Sequence, residues 1–262
     1  MTGRIITVTS GKGGVGKTTT SANLGLALAM QGLRVICIDA DIGLRNLDIM
    51  LGLENRIVYD IINYAEGRCR LRQALVQDKR FPELYLLPAA QTRDKSALTA
   101  DDMQRAAQEA AEMADFVLID SPAGIEEGFR FAVAPADQVL IVTNPEITAV
   151  RDADRVIGLI EADHRDQAYL VVNRLRADQV RRSEMLDPGT VVELLSIPLI
   201  GIVPEDPDIL AASNRGNPVV LKSRSAAGKA YRNIAQRLVT GADVPYVPLK
   251  RPNLFQRIFG SS

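Results

Sequence analysis

Residues 11–18 read Gly11, Lys12, Gly13, Gly14, Val15, Gly16, Lys17, Thr18, and these types at this spacing make a phosphate cradle. Glycines let the backbone fold its N–H groups around phosphate oxygens, and a helix opening at this point adds partial positive charge. Lys17 is spaced to reach the β- and γ-phosphates of a nucleoside triphosphate, the Thr18 hydroxyl to bind Mg2+, and Thr19 to complete the cradle. The general pattern asks for no lysine at position 12. A second lysine there repels Lys17 unless an anion lies between them; the plain alternative is an exposed loop lysine.

Carboxylates supply the second half of the chemistry. Asp120 ends the run FVLID, where a carboxylate helps hold Mg2+ through water; capping a helix that starts near Ile125 is the alternative, with Ser121 and Pro122 intervening. Asp39 and Asp41 follow a second apolar run, and acids two apart on an extended chain point the same way. They repel unless they share a metal or a water's proton, or sit as a surface pair. Asn173 and Arg174 end another run, where an Asn amide suits the edge of adenine or simply a turn. Pro204, Glu205 and Asp206 end the next and could line a base pocket through their backbone. Cys37 reads as core, Cys69 lies in a charged stretch and His164 reads as a surface residue, so none of the three suggests a metal site.

The elements that must position these groups are legible as alternating runs. Strands are expected at 4–9, 34–39, 84–88, 116–120, 138–143, 168–173 and 199–203. Helical spacing falls at 18–31, 101–113, 125–134, 149–162, 190–195, 209–214 and 226–238, with Gly32 placed to end the first. The strands are nearly continuous apolar runs, as in a sheet buried on both faces. Repeated β-then-α order gives an α/β, doubly wound, mostly parallel sheet with helices on both faces. In such sheets ligands sit at the carboxyl ends of the strands, where the singled-out residues fall.

The whole chain has 262 residues, net charge −1 and mean hydropathy +0.02, a composition that excludes a disordered chain, a collagen or a coiled coil. No apolar run reaches transmembrane length, and residues 1–14 lack a signal peptide's apolar stretch, so a cytoplasmic protein is expected. Three of the 31 basic residues (Lys250, Arg251 and Arg257) follow the last acid, Asp243, while the other 28 face all 32 acids. A mildly acidic body gives no strong nucleic-acid signal. The expected division is a nucleotide-binding domain over 1–243, a Pro-rich linker over 244–252 and a tail over 253–262.

In that tail Leu254, Phe255, Ile258 and Phe259 fall within an arc of about 140° at helical spacing, with Gln256 and Arg257 outside it. An apolar arc flanked by Lys250, Arg251 and Arg257 suits an interfacial helix on an anionic phospholipid membrane; a helix docked on the body is the alternative. Burying the four apolar side chains is worth about 6–12 kcal/mol. Ordering the segment costs about 8–16 kcal/mol, and each basic residue near anionic lipid returns about 1 kcal/mol. One tail is therefore expected to bind weakly, and two on a dimer to gain avidity.

The string SGKGGVGKTT, with IDADIGLRNLD, DSPAGIE and NPEITAVRDADR, resembles the deviant Walker A motif and switch segments of the MinD/ParA ATPases, and specifically their septum site-determining branch. The resemblance implies an ATP hydrolase with ATP and Mg2+ as cofactors, peripheral on the inner face of the cytoplasmic membrane. Lys12 would reach across a homodimer to the partner's nucleotide. Asp41 would orient the attacking water, Asp39 would sit near Mg2+ and Asn46 would approach the γ-phosphate. It also implies MinC as a recruited division inhibitor and MinE as the activator of hydrolysis, with Asp152 and Asp154 on the partner surface. A DNA-segregating ParA protein, a flagellar-number ATPase and an iron protein with a shared cluster remain as relatives of the same motif.

Overall fold

The computed structural model describes residues 2–91, 98–162 and 167–247. The tail residues Lys250, Arg251, Leu254, Phe255, Arg257, Ile258 and Phe259, and His164, lie outside the described residues.

β1 (Arg4–Thr9) leads through the glycine loop into α1 (Lys17–Ala29), and β2 (Val35–Asp39) follows. Three short helices come next, α2 (Leu47–Leu51), α3 (Ile61–Ala65) and α4 (Leu71–Ala74), then β3 (Val76–Gln77) and β4 (Leu84–Leu87). α5 (Ala100–Ala111), β5 (Phe116–Asp120), α6 (Glu127–Val133), β6 (Gln138–Thr143) and α7 (Ile147–Ala162) continue the alternation. The chain then runs through β7 (Ala168–Leu175), α8 (Ala177–Arg181), α9 (Pro188–Leu195), β8 (Leu199–Pro204), α10 (Asp208–Ser213) and α11 (Ala226–Thr240).

All strands form one sheet in the order β3-β4-β2-β5-β1-β6-β7-β8, parallel except at β3. The expected doubly wound α/β class is the observed one. The strand runs are apolar because both faces are covered: β2 and β5 are buried at every position. α1 is almost wholly buried because it lies between the sheet and α11, so its apolar residues show no single face. It packs closely on β2: a Cβ on Gly25 would stand 2.5 Å from the Cys37 Sγ.

Sequence spacing missed α2, α3, α4, α8 and β3. Each has five residues or fewer, too few turns to show a period. β7 runs two residues past the expected end at Asn173, with Arg174 at φ +55°. Residues 244–247, expected as the start of a free linker, are held on the body. The Tyr246 hydroxyl donates to the Leu199 carbonyl (2.9 Å), Arg237 lies over the Tyr246 ring, and Asn233 Nδ2 donates to the Pro245 carbonyl (2.9 Å).

Candidate functional site

The strand order brings the singled-out residues together. β1 is central, with β5 and β2 on one side and β6 and β7 on the other, so their carboxyl ends surround the loop after Thr9. Gly14 (φ +79°) and Gly16 (φ +101°) adopt conformations that side chains resist, just before α1 begins. Two neighbours fix this loop. Asn173 at β7 donates through Nδ2 to the Val15 carbonyl (2.7 Å) and occupies the space a Cβ on Gly16 would need. A Cβ on Gly11 would collide with the Asp152 carbonyl of α7. Ser10 Oγ donates to the Lys12 carbonyl (2.8 Å), and the Gly124 N–H donates to the Ser10 carbonyl (3.3 Å), joining the loop after β5 to the glycine loop.

The two lysines occupy different environments. Lys17, the first residue of α1, is 8% exposed; burial pulls its pKa down, while the carboxylates of Asp120 and Asp41 oppose that. Lys12 is exposed.

Parallel pairing of β2 with β5 sets Asp39 beside Asp120, each 1% exposed. Asp120 accepts hydrogen bonds from Ser21 Oγ (2.8 Å) and Thr18; burial nevertheless pushes its pKa up to about 6. Asp39 accepts the N–H groups of Asp41 (3.0 Å) and Leu47 (3.2 Å); burial, and then the charge of Asp120, hold it well above the usual carboxylate range. Asp41 is half-buried and acts electrostatically on Lys17, Asp39 and Asp120, so it shares their cluster.

Two adjacent buried carboxylates with a threonine hydroxyl form a hard-oxygen donor set, which fits Mg2+. Among the described residues no group of three or more His, Cys, Asp or Glu side chains is placed to hold a metal alone. That matches the habit of Mg2+, which takes one or two carboxylates and fills its shell with water and substrate phosphate.

The sequence profile of the CobQ/CobB/MinD/ParA nucleotide-binding domain matches residues 6–219. The chain belongs to the MinD/ParA family. It is 54% identical to the septum site-determining protein MinD of Synechocystis over 93% of this chain and 92% of that one. To MinD of Bacillus subtilis it is 52% identical over 96% and 94%. The MinC:MinD cell division protein complex of Aquifex aeolicus contains a chain 48% identical to it, with a TM-score of 0.86 over 95% of this chain and 98% of that one. MinD of Pyrococcus horikoshii complexed with Mg-ADP superposes at a TM-score of 0.82, with 28% identity over 92% and 99%. The chain is thus a P-loop ATPase of this family, and its relatives associate it with division-site selection.

This MinD/ParA-family chain distributes its remaining candidates unevenly. Asn46 is exposed at the start of α2, beside a short ion pair between Arg45 and the buried Asp48. Arg174 is exposed. Pro204 ends β8, and the Glu205 N–H donates to the Leu175 carbonyl (3.0 Å). Asp206 accepts the Ser225 hydroxyl (2.7 Å), which fixes the start of α11. On α7, Asp154 is exposed, whereas Asp152 is half-buried, backs onto Gly11 and lies 3.7 Å from Arg155.

Sequence reasoning passed over Ser21 and Ser10, whereas Asn144 falls among the expected strand-end residues. Ser21 was findable, since it lies one helical turn beyond Lys17 and so faces the same strand end. Asn144, just past β6, is 8% exposed and its Oδ1 has no partner among the described residues; the same holds for Asn173 Oδ1. Two buried unpaired acceptors beside one phosphate loop suit a ligand that brings N–H donors.

Proposed function

We propose that this chain is a division-site ATPase that dimerises on binding ATP with Mg2+. In this reading it attaches through its C-terminal tail to the cytoplasmic face of an anionic membrane, recruits MinC, and leaves when MinE stimulates hydrolysis. The observation that carries the reading is the contrast between the two loop lysines. Lys17 lies inside the cradle, next to Asp120 and Asp41. Lys12 is on the same loop, its carbonyl held by Ser10, but is exposed, where a second copy's nucleotide would present an anion.

Each residue then has a role. The loop N–H groups and Lys17 bind the β- and γ-phosphates. Mg2+ would be held by Thr18, with Asp39 and Asp120 behind its waters, and supplies charge neutralisation at the phosphate oxygens. Asp41 positions the attacking water and accepts its proton. Lys12 of the partner subunit stabilises charge on the transferring group, as cations do wherever phosphoryl charge develops. Asn173 Oδ1 accepts from the adenine amino group while its Nδ2 stays on Val15. Asn46 approaches the γ-phosphate, Arg174 and residues 204–206 border the base, and Asp154, with Asp152 behind it, faces MinC and MinE.

The Mg-ADP bound by the Pyrococcus horikoshii relative and the MinC held by the Aquifex aeolicus relative support the ligand and partner assignments. DNA segregation is the competing reading within the family. The test is co-sedimentation with anionic vesicles and, separately, with duplex DNA, each in ATP and in ADP. We expect ATP-dependent binding to vesicles only. ATP-dependent DNA binding without vesicle binding would overturn the membrane reading and leave the ATP site standing.

A further inference from the structure

Four residues along α1 from Lys17, Ser21 is fully buried, and its hydroxyl meets two acceptors. Asp120 Oδ1, at the end of β5, lies 2.8 Å away, and the Lys17 carbonyl of its own helix lies 3.2 Å away. A serine hydroxyl carries one proton. The shorter contact and the charge of the carboxylate direct it to Asp120. The neighbouring Thr20 does the opposite: its hydroxyl donates back to the Gly16 carbonyl (2.9 Å), as hydroxyls inside helices commonly do. Serine is a poorer helix former than alanine, so its use at a buried turn of α1 calls for a reason outside the helix.

The backbone of Asp120 is already fixed. β5 lies between β1 and β2, with Asp120 opposite Val8 on one side and Asp39 on the other. Strand pairing leaves the side chain free to turn about its two rotatable bonds. Two donors from one face of α1 restrain it: Thr18 and, three residues on, Ser21. We propose that Ser21 is a positioning residue for metal binding: its hydroxyl holds the Asp120 carboxylate in the orientation that meets the waters of Mg2+. The inference rests on the place given to Asp120 behind those waters. Thr18 is assigned to Mg2+ itself, whereas Ser21 acts only through Asp120. Donors that fix a metal site's carboxylates are worth about 10–100-fold in metal affinity. The nucleotide still meets the glycine loop and Lys17 when Ser21 is removed, so the loss falls on Mg2+ and not on the phosphates.

The test is calorimetric titration of the full chain with ADP, once in Mg2+ and once in EDTA. The ratio of the two dissociation constants measures how far Mg2+ tightens the nucleotide. We expect Ser21→Ala to lower that ratio by about tenfold, with the constant in EDTA within about twofold of wild type. Ser21→Cys keeps a side chain of similar shape with a much weaker donor, so it should lower the ratio too, and it stands in if the alanine chain does not fold. A hydroxyl that merely supports the helix would weaken ADP equally in Mg2+ and in EDTA. A wild-type ratio in Ser21→Ala, or in Ser21→Cys where it stands in, would therefore overturn the proposal. Asp120→Asn separates this result from the assignment beneath it, and should lower the ratio at least as far as Ser21→Ala. A ratio near one in the wild-type chain, or an unlowered ratio in Asp120→Asn, would overturn the place of Asp120 and this inference with it, and leave the phosphate loop standing.

Discussion

At the residue scale, charge decides most of the behaviour. Lys17 is the cation placed inside the cradle, so Lys17→Ala should weaken ATP binding by about 100-fold, the worth of a strong charge-assisted contact. Calorimetric titration measures this, and near-normal affinity would remove the phosphate-loop assignment. Lys12→Ala should bind ATP as a monomer yet neither dimerise nor hydrolyse, while Asp41→Ala should bind and dimerise but turn over slowly; light scattering and phosphate release separate the two. Asp120 gives a pH prediction. Its folded pKa of about 6 lies above the ordinary 3.8, so the folded protein keeps a proton that the unfolded chain has released. Stability of the nucleotide-free protein should therefore fall as pH rises from about 4 to 6, by up to about 3 kcal/mol. Asp120→Asn should reduce that slope and raise Tm at pH 7. Mg2+ with nucleotide should counteract it, because a bound cation favours the ionised carboxylates. Melting curves at pH 4.5 and 6.5 that do not differ would contradict the burial argument.

At the element scale, close packing holds the site elements in register. α1 lies so near β2 that Gly25 has no room for a methyl group beside the Cys37 sulfur. Gly25→Ala should cost about 1–3 kcal/mol by overpacking. Adding Cys37→Ala should recover part of that loss, although Cys37→Ala alone is destabilising, because the added methyl fills the space the sulfur leaves. Urea unfolding of the four variants tests the coupling, and strict additivity would contradict it. The glycine loop depends on contacts of the same kind. The Asp152 carbonyl and the Asn173 amide approach Gly11 and Gly16 too closely for side chains, so α7 and β7 hold the loop that carries both lysines. Sequence located β7 and α7 but gave no hint that they grip the phosphate loop, since that contact joins residues more than 100 positions apart.

At the scale of the whole molecule, the nucleotide site and the chain's exit lie at opposite ends of the sheet. The phosphate loop follows the carboxyl end of β1, whereas Tyr246 is fixed to Leu199 at the amino end of β8. Phe255→Glu or Ile258→Glu should abolish vesicle binding and leave ATP-dependent dimerisation and the melting temperature unaltered. Added salt should weaken wild-type vesicle binding only in part, because screening reaches Lys250, Arg251 and Arg257 but not buried apolar contacts. Equal sedimentation in ADP and ATP would contradict the use of two weak tails as a report on dimerisation. A large drop in melting temperature would favour a tail docked on the body.

The sequence by itself determined the phosphate loop, the strand-end carboxylates and the α/β class, because these rest on local chemistry and on periods of two and 3.6 residues. Gly16 before Lys17 and Asp120 after four apolar residues are short-range facts that any fold must respect. Only the tertiary structure decided which strand ends meet. The order β2-β5-β1-β6-β7 sets Asp39 beside Asp120 and brings Asn173 to Val15, although the chain visits those strands in a different order. Burial then sets the charge states: exclusion from water is the largest cause that raises Asp120, with the charge of Asp41 adding to it, and exclusion from water lowers Lys17. Local pattern specifies what each residue can do; long-range packing specifies what it meets, and therefore what it does.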